Sequence, residues 1–139
     1  MQLPIELLEQ ELKRGTILHS NIFENIDHGK FFAIIGEDDK NVIGTFFVNS
    51  KINDFISTKP KLLELQYPLH CTIYQFLNYD SYLCCSDLIK IDKTSLAQSI
   101  CKGESMIKGN LIEEDLKKIL NNVNKSKIFS EQEKNNFFK

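Results

Sequence analysis

The order of patterns along the chain predicts an α+β domain, with a short helix first, then about five strands, then helices. Its strongest feature is a β-hairpin, in which two aromatic and β-branched runs at 30–36 and 42–49 flank a polar loop at 37–41. Both runs are nearly continuous in apolar residues, so both faces of the hairpin are expected to be covered. We therefore expect a small, curved antiparallel sheet or barrel with C-terminal amphipathic helices.

The segment before the hairpin favours a short N-terminal helix and a strand. Pro4 suits the first position of a helix over residues 4–13, where three apolar side chains share one stripe. Gly15 can end that helix, and residues 16–19 then predict a first strand. A polar loop over residues 21–29 leads into the hairpin.

The middle of the chain is less regular. We expect a loop over 51–60, whereas 61–66 fits a strand and a short helix equally well. Residues 70–77 are interpreted as a strand. A further strand is predicted at 82–85 and continues through 88–91, because both runs are apolar and β-prone.

The C-terminal part changes to a helical period. Asp92 predicts the cap of a short helix carrying Leu96 and Ile100, and Gly103 and Gly109 indicate a polar turn after it. The clearest helix follows, with apolar residues at helical spacing: Ile112, Leu116, Ile119, Leu120 and Val123. One face of this helix must dock on the sheet.

Two capping patterns bound these last helices. Asn110 with Glu113 is a variant of the capping box at the start of the long helix. Residues 130–133 predict the opening of a last short helix, and Phe137 and Phe138 behind it are expected to pack on the domain rather than on a partner.

Composition limits the possible functions. The 139 residues suit one domain, and the net charge of -2 argues against a dominant phosphate-binding surface. Arg14 is the only arginine, which is a further point against bidentate phosphate recognition. No apolar run approaches the ~20 residues of a membrane helix. The N-terminus lacks the basic residues of an export signal, so we expect a cytoplasmic protein.

The four cysteines are expected to be reduced, structural thiols, because none forms a Cys-x-x-Cys pair: Cys71, Cys84, Cys85 and Cys101. A zinc site from His70, Cys71 and one later cysteine would have an uncommon ligand spacing. We therefore expect no metal and no cofactor.

Several short motifs follow one another along the chain, and their order is informative. Gly15-Thr16-Ile17 opens the first strand, and a second glycine-led strand runs over residues 29–35. Residues 83–92 contain two cysteines and an aspartate, followed by Ile91-Asp92 in an extended stretch. Lys108-Gly109-Asn110-Leu111 then precedes the long helix. In this order, over residues 15–125, the chain resembles the PemK/Kid/MazF family of toxin ribonucleases.

That resemblance implies an SH3-like barrel over about 15–92 and a helical part over about 93–138, in a single domain spanning 1–139. It also implies metal-independent cleavage of single-stranded RNA, an antitoxin or other protein partner, and a homodimer. The chain departs from the family at two places. Lys30 and Phe31 replace its Arg-Pro pair, and Cys84 stands where its catalytic arginine is expected.

The candidate catalytic residues supply an imidazole, an ammonium, a hydroxyl and two carboxylates: His28, Lys30, Ser50, Asp80 and Asp87. The candidate substrate-binding residues are polar or aromatic: Asn49, Tyr79, Ser81 and Tyr82. Ordinary turns explain most of these positions equally well. A hydrolase triad at Asp80 and Ser81 would need His19, His28 or His70 to arrive by folding.

Two principal hypotheses follow. The first is a divergent PemK/MazF-like endoribonuclease, which should gather His28, Lys30, Ser50 and an aspartate in one cleft. The second is a non-catalytic protein-interaction domain on the same scaffold, which the missing arginines favour. A third, a small-ligand binder, would use phenylalanines that ordinary core packing also explains: Phe31, Phe32, Phe46 and Phe47.

Overall fold

A computed structural model describes residues 5–22, 30–48, 66–77, 80–126 and 129–138. In chain order the elements are α1 (Ile5–Glu11), β1 (Thr16–Ser20), β2 (Lys30–Glu37), β3 (Asn41–Val48), β4 (Gln66–Leu69), β5 (Ser81–Asp92), α2 (Lys93–Cys101), β6 (Ser105–Asn110), α3 (Glu113–Lys125) and α4 (Glu131–Phe137). The predicted loop at 51–60, most of the loop at 21–29 and the segment 61–65 lie outside the described residues.

The strands form one sheet with the order β4-β5-β3-β2-β1-β6, and every neighbouring pair is antiparallel. The predicted α+β class and antiparallel sheet are therefore confirmed, with six described strands rather than about five. Strands β4 and β6 are the edges, and no pairing joins them within the described part of the chain.

Neighbouring residues along the central strands point to opposite faces and enter two separate cores. One core contains Ile17, Ala33 and Ile43 and is covered by α3 and α4; we call this side the α3 face. The other contains Leu18 and Phe32 and is covered by α1 and α2; we call this side the α1 face. The prediction that both faces of the hairpin are covered is confirmed.

The β2–β3 connection is shorter than predicted, because Glu37 and Asn41 belong to the strands. The carboxylate of Asp38 accepts the N–H groups of Lys40 at 2.9 Å and Asn41 at 2.7 Å. These bonds to backbone N–H groups lower the pKa of Asp38 and fix the turn.

Residues 70–77 were expected to form a strand, and this prediction is wrong. The N–H groups of Ile73 and Tyr74 both donate to the carbonyl of His70, at 3.0 Å each, which makes a turn. The strand of this region is β4 instead. Tyr74 and Leu77 are buried on the α3 face three residues apart, a spacing that a turn places on one side and a strand does not.

The C-terminal region gives two further corrections. A polar turn was expected around Gly103 and Gly109, but the edge strand β6 (Ser105–Asn110) lies there instead. Asn110 therefore belongs to β6 and caps no helix; Ile112 is the N-cap of α3 and makes no side-chain capping bond. The hydroxyl of Tyr74 instead accepts the N–H of Ile112 at 3.1 Å.

The remaining helix predictions are confirmed. Asp92 caps α2 by accepting the N–H of Ser95 at 2.8 Å. Ser130 and Glu133 form a reciprocal capping box at the start of α4. Phe138 is buried against Gly36, where an added Cβ would lie 2.7 Å from the phenylalanine ring.

Candidate functional site

Four of the residues predicted from the sequence as site residues lie outside the described part of the chain: His28, Asn49, Ser50 and Tyr79. The others are distributed over two strands of the sheet and one connection. Lys30 begins β2 and is half-buried, whereas Asp80 directly precedes β5 and is exposed. The strand order places β3 between β2 and β5, and both residues lie at the same end of the sheet.

Ser81 and Tyr82 begin β5; Ser81 pairs with β4, and Tyr82 pairs with both β4 and β3. Ser81 lies opposite Leu69 and is buried, so its hydroxyl faces the protein interior. Tyr82 lies between Pro68 of β4 and Val48 of β3 and is half-buried. Tyr82 is therefore more accessible to a ligand than Ser81.

Asp87 lies in an irregular part of β5. Thr45 of β3 pairs with Leu88, and Phe47, two residues further along β3, pairs with Leu83. Four residues of β5, 84–87, thus lie opposite the one residue of β3 between these pairs, which is a large bulge. Asp87 belongs to this bulge.

The structure brings an imidazole to one of the predicted carboxylates. His70 Nδ1 lies 3.7 Å from Asp80 Oδ2, and the side chains are 60% and 63% exposed. The cause is the β4–β5 register: Leu69 pairs with Ser81, so the next residues on the two strands, His70 and Asp80, also lie opposite each other. His70 was among the three histidines that folding had to bring to Asp80.

The other oxygen of the same carboxylate is held by the backbone. The N–H of Cys71 donates to Asp80 Oδ1 at 2.9 Å. This bond, a hydrogen bond with the Cys71 thiol and the nearby imidazole lower the pKa of Asp80. The same thiol bond raises the pKa of Cys71, so Cys71 stays a thiol rather than a reactive thiolate near neutral pH.

The segment carrying His70 is tied to α3 by two tyrosines. Tyr67 donates to Asp115 Oδ1 and Tyr74 donates to Asp115 Oδ2, both at 2.5 Å. Burial and these bonds raise the pKa of both phenols, so they remain protonated donors at neutral pH. This network fixes residues 67–77 on the α3 face.

Chemically, the His70–Asp80 pair is suited to proton transfer. The Asp80 carboxylate faces Nδ1 of His70, which leaves Nε2 to exchange a proton with a ligand. Because both side chains are exposed, a large substrate can reach them. In the described part of the chain, no three potential ligands among His, Cys, Asp and Glu cluster closely enough to hold a metal ion.

The sequence placed Asp80 among the candidate catalytic residues, whereas His70 was only one of three histidines that could reach it. The pairing of β4 with β5 could have revealed that His70 lies next to Asp80. This pairing is hard to recognise in the sequence, because β4 has only four residues and one of them is Pro68. Proline is tolerated there because β4 is an edge strand.

Comparisons with known proteins give no match: neither a protein-family model nor a curated protein corresponds to this chain. None of the described helices has both the length and the apolar character needed to cross a membrane.

Proposed function

We propose that this chain is a divergent PemK/MazF-like toxin-type endoribonuclease that cleaves single-stranded RNA without a metal ion, with His70 and Asp80 as its acid–base pair. The observation that carries this proposal is the 3.7 Å approach of an exposed imidazole and an oriented carboxylate. A surface pair is appropriate for a polymer substrate, which cannot enter a closed pocket.

The proposed fold is a small SH3-like barrel. Support comes from two contacts that connect the region of one edge strand with the region of the other. Tyr67 of the edge strand β4 binds Asp115, five residues after the edge strand β6 ends. Phe76 lies against Gly109 of β6, 3.8 Å from where a Cβ would stand. Through these contacts β4 binds the helix that follows β6, and the turn that follows β4 lies against β6.

In the proposed reaction, the 2′-oxygen of a ribose attacks the adjacent phosphorus and its proton passes to Nε2 of His70. The bond from phosphorus to the 5′-oxygen breaks, that oxygen takes a proton from water, and the proton held by His70 neutralises the hydroxide left behind. The products are a 2′,3′-cyclic phosphate and a 5′-hydroxyl. Lys30 remains the proposed cation for the phosphorane, with His28, Ser50 and Asp87 as further candidate catalytic residues.

The test is induced expression of wild type, His70→Gln and Asp39→Asn, with growth and total RNA followed together. Asp39 is an exposed carboxylate in the β2–β3 turn, which makes Asp39→Asn a matched control. We expect growth arrest with RNA fragments for wild type and the control, and normal growth with intact RNA for His70→Gln. Equal fragmentation by all three proteins would remove His70 from the proposal.

The second candidate function is a non-catalytic protein-interaction domain, with an antitoxin, another protein or a second copy as partner. It is favoured by Met106, which is 58% exposed on the edge strand β6. Normal growth with intact RNA from soluble wild-type protein would support this candidate instead.

A further inference from the structure

Tyr82 and the acid–base pair lie on the same face of the sheet. Leu83 of β5 is fully buried in the core of the α3 face, so its neighbour Tyr82 points to the α1 face. Asp80 is two residues before Tyr82 and points the same way, and His70 lies opposite Asp80. Two residues of a strand span about 7 Å, so Tyr82 is one row of side chains away from the His70–Asp80 pair.

The Tyr82 ring lies outside both cores. On the α1 face, helices α1 and α2 cover core residues of β1, β2 and β3: Leu18, Phe32, Ile34 and Val42. Within the described part of the chain, Tyr82 packs neither on this core nor on the core of the α3 face. Tyr82 is half-buried, and Pro68, its partner on the edge strand β4, is exposed. The ring therefore lies at the border between the sheet and solvent.

A positive charge lies on the same face as Tyr82. Lys30 of β2 is two residues before Phe32, which is buried in the core of the α1 face, so both side chains point to this face. Strand β3 lies between β2 and β5, and its Val48 pairs with Tyr82. Two strand spacings, about 10 Å, therefore separate Lys30 from Tyr82 across the sheet.

The acids of β2 and β5 are further along the strands. Glu37 and Asp92 end their strands at the opposite end of the sheet, and Asp87 belongs to the bulge of β5. Asp80, directly before β5, is the acid closest to Tyr82 in sequence and is itself part of the acid–base pair. This end of the α1 face thus combines an aromatic ring, an ammonium group and a pair suited to proton transfer.

From this arrangement we infer that Tyr82 is the substrate-contacting residue beside the acid–base pair, with its ring stacked on an unpaired base of single-stranded RNA. The inference deepens the proposed ribonuclease function and rests on it for the choice of ligand. Aromatic rings bind single strands by stacking, because every base has a π-face, and cations bind the phosphates. An apolar peptide would contact the ring but has no phosphate to offer to Lys30.

Stacking on Tyr82 sets which nucleotide reaches His70. The ring is one row from the imidazole, so a base held on the ring brings its own ribose towards Nε2. Paired bases in a duplex are already stacked on one another and offer no free face to the ring. Tyr82 therefore selects single strands and tolerates any base sequence.

The test measures binding of fluorescein-labelled, single-stranded oligoadenylate to His70→Gln protein with and without the further change Tyr82→Leu. The His70→Gln background prevents cleavage. Loss of the ring is expected to weaken binding about tenfold, measured by fluorescence anisotropy. Tyr82→Phe keeps the ring and should bind like the parent. An abasic oligomer with the same number of phosphates should bind all three proteins equally, because it has no base to stack.

The matched control is Leu7→Ala in the same background, since Leu7 is an exposed apolar side chain on α1, away from β4 and β5. It should bind oligoadenylate like the parent. Circular dichroism of each variant verifies its fold. Where Tyr82→Leu does not fold, Tyr82→Thr takes its place, because a β-branched side chain suits a strand.

The outcomes separate the two proposals. Equal oligoadenylate affinity with and without the Tyr82 ring, or no binding by the parent, overturns the inference whatever the cleavage assay gives. Equal weakening by Tyr82→Phe and Tyr82→Leu overturns stacking, because the hydroxyl rather than the ring would then bind. Binding that depends on the ring, in a protein whose wild type cleaves no RNA, keeps the stacking residue and rejects the ribonuclease.

Discussion

Two polar clusters lie at the same end of the sheet, one near each edge, and differ in access to solvent. Near β6, the hydroxyl of Ser105 lies 2.6 Å from that of Ser20 and 2.7 Å from that of Ser99, and all three residues are buried. Near β4, the side chains of His70 and Asp80 are both about 60% exposed (60% and 63%). The first cluster satisfies its hydrogen bonds internally, whereas the second presents polar atoms to a ligand.

This difference separates stability from function. Buried polar groups stabilise a fold when each has a partner and destabilise it when one partner is removed. Exposed polar groups contribute little to folding, so they are free to be used for binding or chemistry. The serine cluster should therefore affect folding alone, and the His70–Asp80 pair should affect activity alone.

The largest effect on folding is expected for Tyr67 and Tyr74, because they stabilise the fold and also hold the segment that carries His70. Tyr67→Phe with Tyr74→Phe leaves the Asp115 carboxylate without two donors, at a cost of about 2 to 4 kcal/mol in the free energy of unfolding. Denaturant unfolding measures this loss. Activity should fall too, since the segment carrying His70 is no longer tied to α3.

The same double variant should also change the pH dependence of the free energy of unfolding. The folded-state pKa of both phenols is raised above the ordinary value of 10.0, so their stabilising contribution is complete below pH 10. It is lost as the pH rises through the folded-state pKa. Wild type should therefore lose more stability than the double variant on alkaline titration, and parallel losses would show that these bonds contribute nothing.

A smaller effect is expected at the serine cluster. Ser105→Ala removes one hydroxyl and leaves Ser20 and Ser99 without that partner, at a cost of about 1 to 3 kcal/mol. Ser95→Ala, at an exposed position on α2, is the matched control and should change stability by less than about 0.5 kcal/mol. RNA cleavage by folded Ser105→Ala protein should equal that of wild type.

The smallest effect on folding is expected for Asp80→Asn. The carboxylate is exposed, and asparagine keeps an oxygen that can accept the N–H of Cys71. The midpoint of thermal unfolding should stay at the wild-type value, even though the imidazole of His70 loses its charged neighbour. A large drop in that midpoint would show that the pair is structural.

Elements with one dominant pattern could be predicted from the sequence. The continuous apolar runs of β2 and β3 gave the hairpin and both covered faces, and the apolar stripe containing Ile119 and Val123 gave α3. The edge strand β6 was missed because Met106, Lys108 and Asn110 are exposed along it, so it lacks the apolar signature of a buried strand.

The site was harder to predict because it depends on strand register. Asp80 stood out as a carboxylate in a polar, aromatic stretch, but its partner His70 is ten positions away in sequence. The pairing of Leu69 with Ser81 brings the two together, and β4, with four residues and a proline, is too short to reveal that pairing in the sequence.

The most direct test of the account is cleavage of a single-stranded RNA oligonucleotide by purified protein in the presence of a metal chelator. Wild type, Asp80→Asn and His70→Gln are compared at equal folded concentration. We expect a cyclic-phosphate product from wild type and a rate about 10² to 10⁴ lower for His70→Gln, with unchanged thermal unfolding. Cleavage by His70→Gln at the wild-type rate, or no cleavage by folded wild type, would contradict it.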